Sequence, residues 1–128
     1  VEEAMGKKIL IVDDSRTIRQ QVSFTLAKSG FVVVEAEDGK DGIAKLGQNE
    51  DIAMIISDVN MPNMNGLEMV EAIKADLKHK TLPIVMLTTE GSGELIERAK
   101  AAGARGWIVK PFKPDQLIAA VNKLTGAA

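Results

Sequence analysis

The stretch KKILIVDDSRTIR, Lys7–Arg19, decides the architecture. Ile9, Leu10, Ile11 and Val12 form an unbroken aliphatic run, the pattern of a strand buried on both faces. The run then delivers two adjacent aspartates, Asp13 and Asp14. At about 4 Å and an effective dielectric near 20, two unit charges repel by roughly 4 kcal/mol. A strand that ends this way needs a cation close by. Ser15 follows as a helix N-cap, and Ile18, Val22 and Leu26 recur at helical spacing until Ser29-Gly30 closes the helix.

The same unit then repeats in kind, though not in sequence. FVVVEA, Phe31 to Ala36, is a short β-branched strand, and Ile43 and Leu46 mark a second helix. AMIISD, Ala53 to Asp58, is a third strand that again ends in aspartate. Gly66 precedes a helix expected to carry Val70, Ile73 and Leu77 on one face. PIVMLTT, Pro83 to Thr89, is the fourth strand, followed by a helix with Leu95, Ile96, Ala99 and Ala102. GWIVK, Gly106 to Lys110, is the last strand, and Leu117, Val121 and Leu124 mark the fifth helix. Strict strand–helix alternation predicts an α/β fold, a doubly wound parallel sheet of five strands with helices on both faces.

Composition narrows the function. Apolar residues make up 45% of the 128 positions and charged residues 27%, which argues for a packed globular chain. A net charge of -2 supplies no basic field for nucleic acid or an anionic membrane. Membrane insertion is not expected, because no apolar run nears a bilayer span. Cysteine is absent, so disulfides and thiolate metal sites are excluded. With no basic-then-apolar signal segment at the start, the expected location is cytoplasmic. Met5-Gly6 reads as a natural start, so residues 1–4 are expected to be an appended remnant and residues 5–128 one domain.

In open parallel sheets, ligands bind outside the carboxyl ends of the strands. That rule collects Asp13, Asp14, Asp58, Thr88 and Lys110 at one rim. Taken singly, each has an ordinary reading. Asp13 and Asp14 suit a helix start, Asp58 a strand-to-turn junction, Thr88 a strand interior and Lys110 a solvated loop. Trp107 suits a core, Asn60 and Glu90 the surface, and Pro111 a trans peptide. Their joint placement is what argues for a site. Hard oxygen anions suit Mg²⁺, which takes one or two carboxylates, water and a phosphate oxygen. A lysine beside them suits a phosphoryl group, and one carboxylate is left to act as nucleophile. His79, between Lys78 and Lys80, has no such company and is expected to be solvated.

Four motifs in order, VDDS at Val12–Ser15, DVNMPNMNG at Asp58–Gly66, MLTTE at Met86–Glu90 and GWIVKPF at Gly106–Phe112, resemble the receiver domains of two-component response regulators. The resemblance covers Lys7 to about Leu124 and implies a flavodoxin-like sheet in strand order 2-1-3-4-5. It implies that Asp58 is the phosphoacceptor. Asp14, Asp58 and the backbone carbonyl of Asn60 would ligate Mg²⁺, and Asp13 would hold the ion through water. Thr88 and Lys110 would bind the phosphoryl group, with Lys110–Pro111 as a cis peptide aiming the lysine. Trp107 stands where the family keeps a rotamer-switching aromatic, and Asn60 and Glu90 where it tunes phosphoryl lifetime.

TTE and Asn60 resemble the stand-alone chemotaxis regulators of the CheY type. That implies a monomer that takes its phosphoryl group from a histidine kinase and changes its binding to a downstream protein, such as the flagellar motor switch. A dedicated phosphatase is a further partner of this class. GSGEL, Gly91–Leu95, lacks the lysines common in enteric members, so motor docking stays open, as do a phosphorelay carrier, a phosphate sink and a receiver cut from a longer chain. Separate substrate turnover is not expected. A haloacid-dehalogenase-type phosphatase would need an Asp-x-Asp pattern on the first strand, and VDDSRT has none. A flavodoxin-type FMN carrier would need a donor-rich first loop, where two aspartates would repel its phosphate.

Overall fold

The computed structural model describes residues 6–126. Residues 1–4, Met5 and the last two residues lie outside them. The element order is β1 (Lys8–Val12), α1 (Arg16–Lys28), β2 (Val32–Ala36), α2 (Gly39–Gln48), β3 (Ile52–Ser57), α3 (Gly66–Lys74), a 3₁₀ turn (Leu77–His79), β4 (Ile84–Thr88), α4 (Gly93–Ala102), β5 (Gly106–Val109) and α5 (Pro114–Thr125). All pairings are parallel, in the order β2-β1-β3-β4-β5. The expected α/β architecture and strand order are both present.

The aliphatic run of β1 is continuous because it serves two cores at once. Side chains alternate across a strand. Leu10 and Val12 pack with Leu67, Met69, Val70 and Ile73 beneath α2, α3 and α4. Ile9 and Ile11 pack with Val22, Leu26, Leu117 and Val121 beneath α1 and α5. Ile9, Leu10, Ile11 and Val12 are all essentially solvent-free, and burying such side chains contributes roughly 1.5–3 kcal/mol each. A strand held on both faces gives its C-terminal end a fixed position.

Local signals start each helix. Ser15 caps α1 by accepting from the Ile18 amide at 3.3 Å. Asp38 caps α2, Ser92 caps α4, and Asn65 with Glu68 forms a reciprocal capping box on α3. Pro114 opens α5, where its missing amide costs nothing.

One expectation fails at the end of α3. Leu77 does not lie on the apolar face of that helix; it is 83% exposed at the head of the 3₁₀ turn. Asp76 adopts extended backbone and its carboxylate accepts from the Lys78 amide at 3.0 Å, so it caps a new turn instead of continuing the old one. Lys74 then locks the connection. Its Nζ donates to the carbonyls of Lys80 at 3.0 Å and Leu82 at 2.5 Å, and burial pulls its pKa down. His79 is half-buried beside Ile43, Leu46 and Ile73, rather than solvated as the sequence suggested.

Candidate functional site

Four parallel strands end at one rim, and each delivers a polar group there. Asp13 and Asp14 follow β1, Asp58 follows β3, Thr88 closes β4 and Lys110 follows β5. Their backbones are zipped together. The Asp58 amide donates to the Val12 carbonyl at 2.9 Å, and the Lys110 amide to the Thr88 carbonyl at 2.8 Å. The Lys110–Pro111 peptide is cis.

Lys110 is the nearby cation that the end of β1 needs. Its Nζ donates to Asp13 Oδ2 at 2.8 Å and to Asp58 Oδ2 at 3.1 Å, so it serves both carboxylates. The three side chains are nearly buried, at 10% exposure for Lys110, 3% for Asp13 and 11% for Asp58. Burial would lower the lysine pKa, but its bonds to Asp13 and Asp58 outweigh that and raise it. For Asp13, burial wins. Its carboxyl is raised above the usual range although Lys110 and the Ser15 amide, 2.9 Å from its Oδ1, favour the charged form.

Carboxylate oxygens of Asp13, Asp14 and Asp58 lie within 4.8 Å of one another. Asp14 is exposed, which would leave an entering cation a path with part of its water retained. A hard, oxygen-only donor set of this size fits Mg²⁺. Asp58 Oδ1 also accepts from the Val59 amide at 2.7 Å, which holds its carboxylate in one orientation.

Glu90 links the remaining candidates. Its amide donates to the hydroxyl oxygen of fully buried Thr88 at 3.2 Å. Its carbonyl accepts from Trp107 Nε1 at 2.8 Å. Its carboxylate accepts from Asn60 Nδ2 at 2.8 Å, closing a bridge between the loops after β3 and β4. Trp107 is half-buried and packs against the core under α2, α3 and α4. Arg19 is a contributor that sequence reading missed. Its Nη1 donates to the Asp13 carbonyl at 2.6 Å, and its place one turn inside α1 was the available signal.

The response regulator receiver domain model matches residues 9–122. Chemotaxis protein CheY1 of Helicobacter pylori (strain J99) is 45% identical over 111 residues, covering 86% of this chain and 90% of that protein. The CheY homolog of Campylobacter jejuni (serotype O:23/36) is also 45% identical, with 86% of this chain and 85% of that protein covered. The solved structure of Vibrio cholerae chemotaxis protein CheY4 superposes with a TM-score of 0.88 at 46% identity, covering 93% of this chain and 98% of that one. A match that runs from β1 into α5, with relatives near half identity over most of the chain, makes this protein a member of the response regulator receiver domain family.

Proposed function

We propose that the chain is a phosphorylation-activated signalling switch that accepts a phosphoryl group on Asp58. The observation that carries this reading is the bridging of Asp13 and Asp58 by Lys110, with Asp14 within 4.8 Å of both aspartates. Asp14, Asp58 and the Asn60 carbonyl would hold Mg²⁺, with Asp13 behind a water. When bound, Mg²⁺ supplies positive charge against the phosphoryl oxygens.

The protein's own residues do the rest. An Asp58 carboxylate oxygen forms the new O–P bond as the N–P bond of a phosphohistidine donor breaks, and the imidazole leaves with the electron pair. Lys110 moves its hydrogen bonds from the carboxylates to the phosphoryl oxygens, and the Thr88 hydroxyl becomes a donor to one of them. That draws on Glu90, and through it on Trp107. Asn60 and Glu90 set the access of the hydrolytic water and so the lifetime of the acyl phosphate.

A histidine kinase is the donor, and a downstream protein reads the face formed by α4, β5 and α5. The chemotaxis relatives support a role in that pathway, with the motor switch as target and a phosphatase as a further partner. The chain works as one cytoplasmic, monomeric domain and turns over no separate substrate. A phosphorelay or sink role uses the same chemistry and differs only in partners.

The test is direct. With Mg²⁺ and acetyl phosphate, the protein should gain one acid-stable, base-labile phosphoryl group, and Asp58→Asn should abolish it. Full-rate labelling of that variant on a Ser, Thr or His would remove the reading.

A further inference from the structure

We propose that Asp38 is a positioning residue for the cation site, acting through Asn63 on the loop that carries Asp58 and Asn60. The inference rests on the reading of Asp13, Asp14 and Asp58 as that site. The loop from Asp58 to Asn65 has one unusual backbone position, Asn63, at φ 67. Asparagine tolerates the left-handed region better than most residues, but it still costs something to hold there. The Asn63 side chain is used to hold it. Its Nδ2 donates to Asp38 Oδ2 at 2.7 Å, across 25 residues of sequence.

Asp38 is itself fixed. It is 7% exposed, and its other oxygen accepts from the Asp41 amide at 2.8 Å as the cap of α2. One carboxylate therefore ties the start of α2 to the loop, and both of its oxygens are in use. The next residue repeats the tie through the backbone, since the Gly39 amide donates to the Met64 carbonyl at 3.0 Å. A side chain at Gly39 would place its Cβ 2.6 Å from that carbonyl oxygen, so the approach is as close as the chain permits. Asp14, Asp38 and Asn63 line a common cleft, which places the tether along one wall of the approach to the carboxylates. Among the described residues Asp38 makes its side-chain hydrogen bonds with Asp41 and Asn63 and none with Asp58 or Asn60, so its influence on the cation passes through loop position.

Calorimetric titration of Mg²⁺ into metal-free protein reads that influence. Binding that is unchanged in Asp14→Asn would remove the cation-site reading itself, whatever Asp38 does. Asp38→Asn keeps one oxygen for the α2 cap but turns an amide toward the Asn63 amide, donor against donor. It should weaken Mg²⁺ affinity about three- to tenfold, less than the 10–100-fold typical of groups bonded directly to a metal ligand. Asn63→Gly keeps the left-handed backbone and every charge but loses the tether, and it should weaken affinity as well. The double substitution Asp38→Asn/Asn63→Asp reverses donor and acceptor at constant net charge and should restore affinity to within about twofold. Unchanged affinity in Asn63→Gly overturns the proposal, and that arm decides even if Asp38→Asn does not fold. A double variant that recovers its melting temperature while Mg²⁺ binding stays weak also overturns it, because the tether would then serve stability alone.

Discussion

The indole Nε1 of Trp107 donates to the main-chain carbonyl of Glu90 at 2.8 Å, tying a ring on β5 to the loop that leaves β4. The amide of the same residue holds the Thr88 hydroxyl oxygen. A pull on Thr88 therefore reaches Trp107 through a single residue. The chain has one Trp and no Tyr, so its near-ultraviolet emission reports this ring. A Mg²⁺–beryllofluoride complex, standing in for the phosphoryl group, should shift or quench that emission. The change should vanish in Asp58→Asn and shrink strongly in Thr88→Ala. Constant emission with altered partner affinity would show that the signal bypasses the ring, since a population shift needs states that differ at the reporting group.

Lys110 and Asp14 should respond to substitution with opposite signs. Lys110→Met leaves two nearly buried carboxylates without their cation and should cost roughly 3 kcal/mol in metal-free protein. Mg²⁺ should recover more stability in this variant than in wild type, while phosphorylation falls. Asp14→Asn removes one repelling charge and should raise the metal-free denaturation midpoint while weakening Mg²⁺ binding. Urea titrations of wild type and both variants, with and without Mg²⁺, read these stabilities, and loss of both stability and binding in Asp14→Asn would make Asp14 a structural cap.

The Asn60–Glu90 bridge yields a kinetic expectation. Glu90→Arg breaks it and places a long basic chain on the loop that leaves β4. Dephosphorylation, followed by loss of label after the donor is removed, should change severalfold with Mg²⁺ affinity nearly constant. An unchanged rate would leave Glu90 an ordinary surface acid.

Gly66 is where α3 touches the backbone of Asp58. A Cβ there would lie 2.0 Å from the Asp58 carbonyl oxygen, which is main chain and cannot swing aside. Gly66→Ala should lower stability by roughly 3 kcal/mol in denaturant titration. Any folded fraction should phosphorylate slowly, because relief of the clash moves Asp58. Wild-type stability would mean that α3 can retreat without disturbing the core.

Asp38 titrates below the usual carboxylate range, first because it accepts from the Asp41 amide and then from Asn63. A pKa depressed in the folded state gives stability that is complete above the unfolded value, near 3.8, and lost as pH falls through the folded one. The thermal advantage of wild type over Asp38→Asn should therefore be constant from neutral pH to about 4 and narrow below it. A gap that widens on acidification would reverse the assignment.

Much of the site could be read before the fold was known, for a geometric reason. Parallel strands that each end in a polar residue must present those residues together, so Asp13, Asp14, Asp58, Thr88 and Lys110 needed only the alternation of elements to be placed. Ile9–Val12 was legible because a strand serving two cores can spare no polar position. Leu77 misled because helical spacing runs on through a helix end, and the local bond from Asp76 to Lys78 that stops it leaves no periodic trace. The Asp38–Asn63 tether and the bond from Trp107 to the Glu90 carbonyl were out of reach for another reason. Each joins segments whose approach is set by tertiary packing, and a carbonyl acceptor has no letter in the sequence.

Glu90 makes two of its three contacts with atoms that every residue except proline possesses. Substitution at position 90 rewrites the contact with Asn60 and leaves those with Thr88 and Trp107 in place. Under the proposed function, a lineage could therefore retune how long its signal lasts by drifting at one codon, without severing the route by which the signal would be felt. Duration and transmission would then be inherited on different atoms of the same residue.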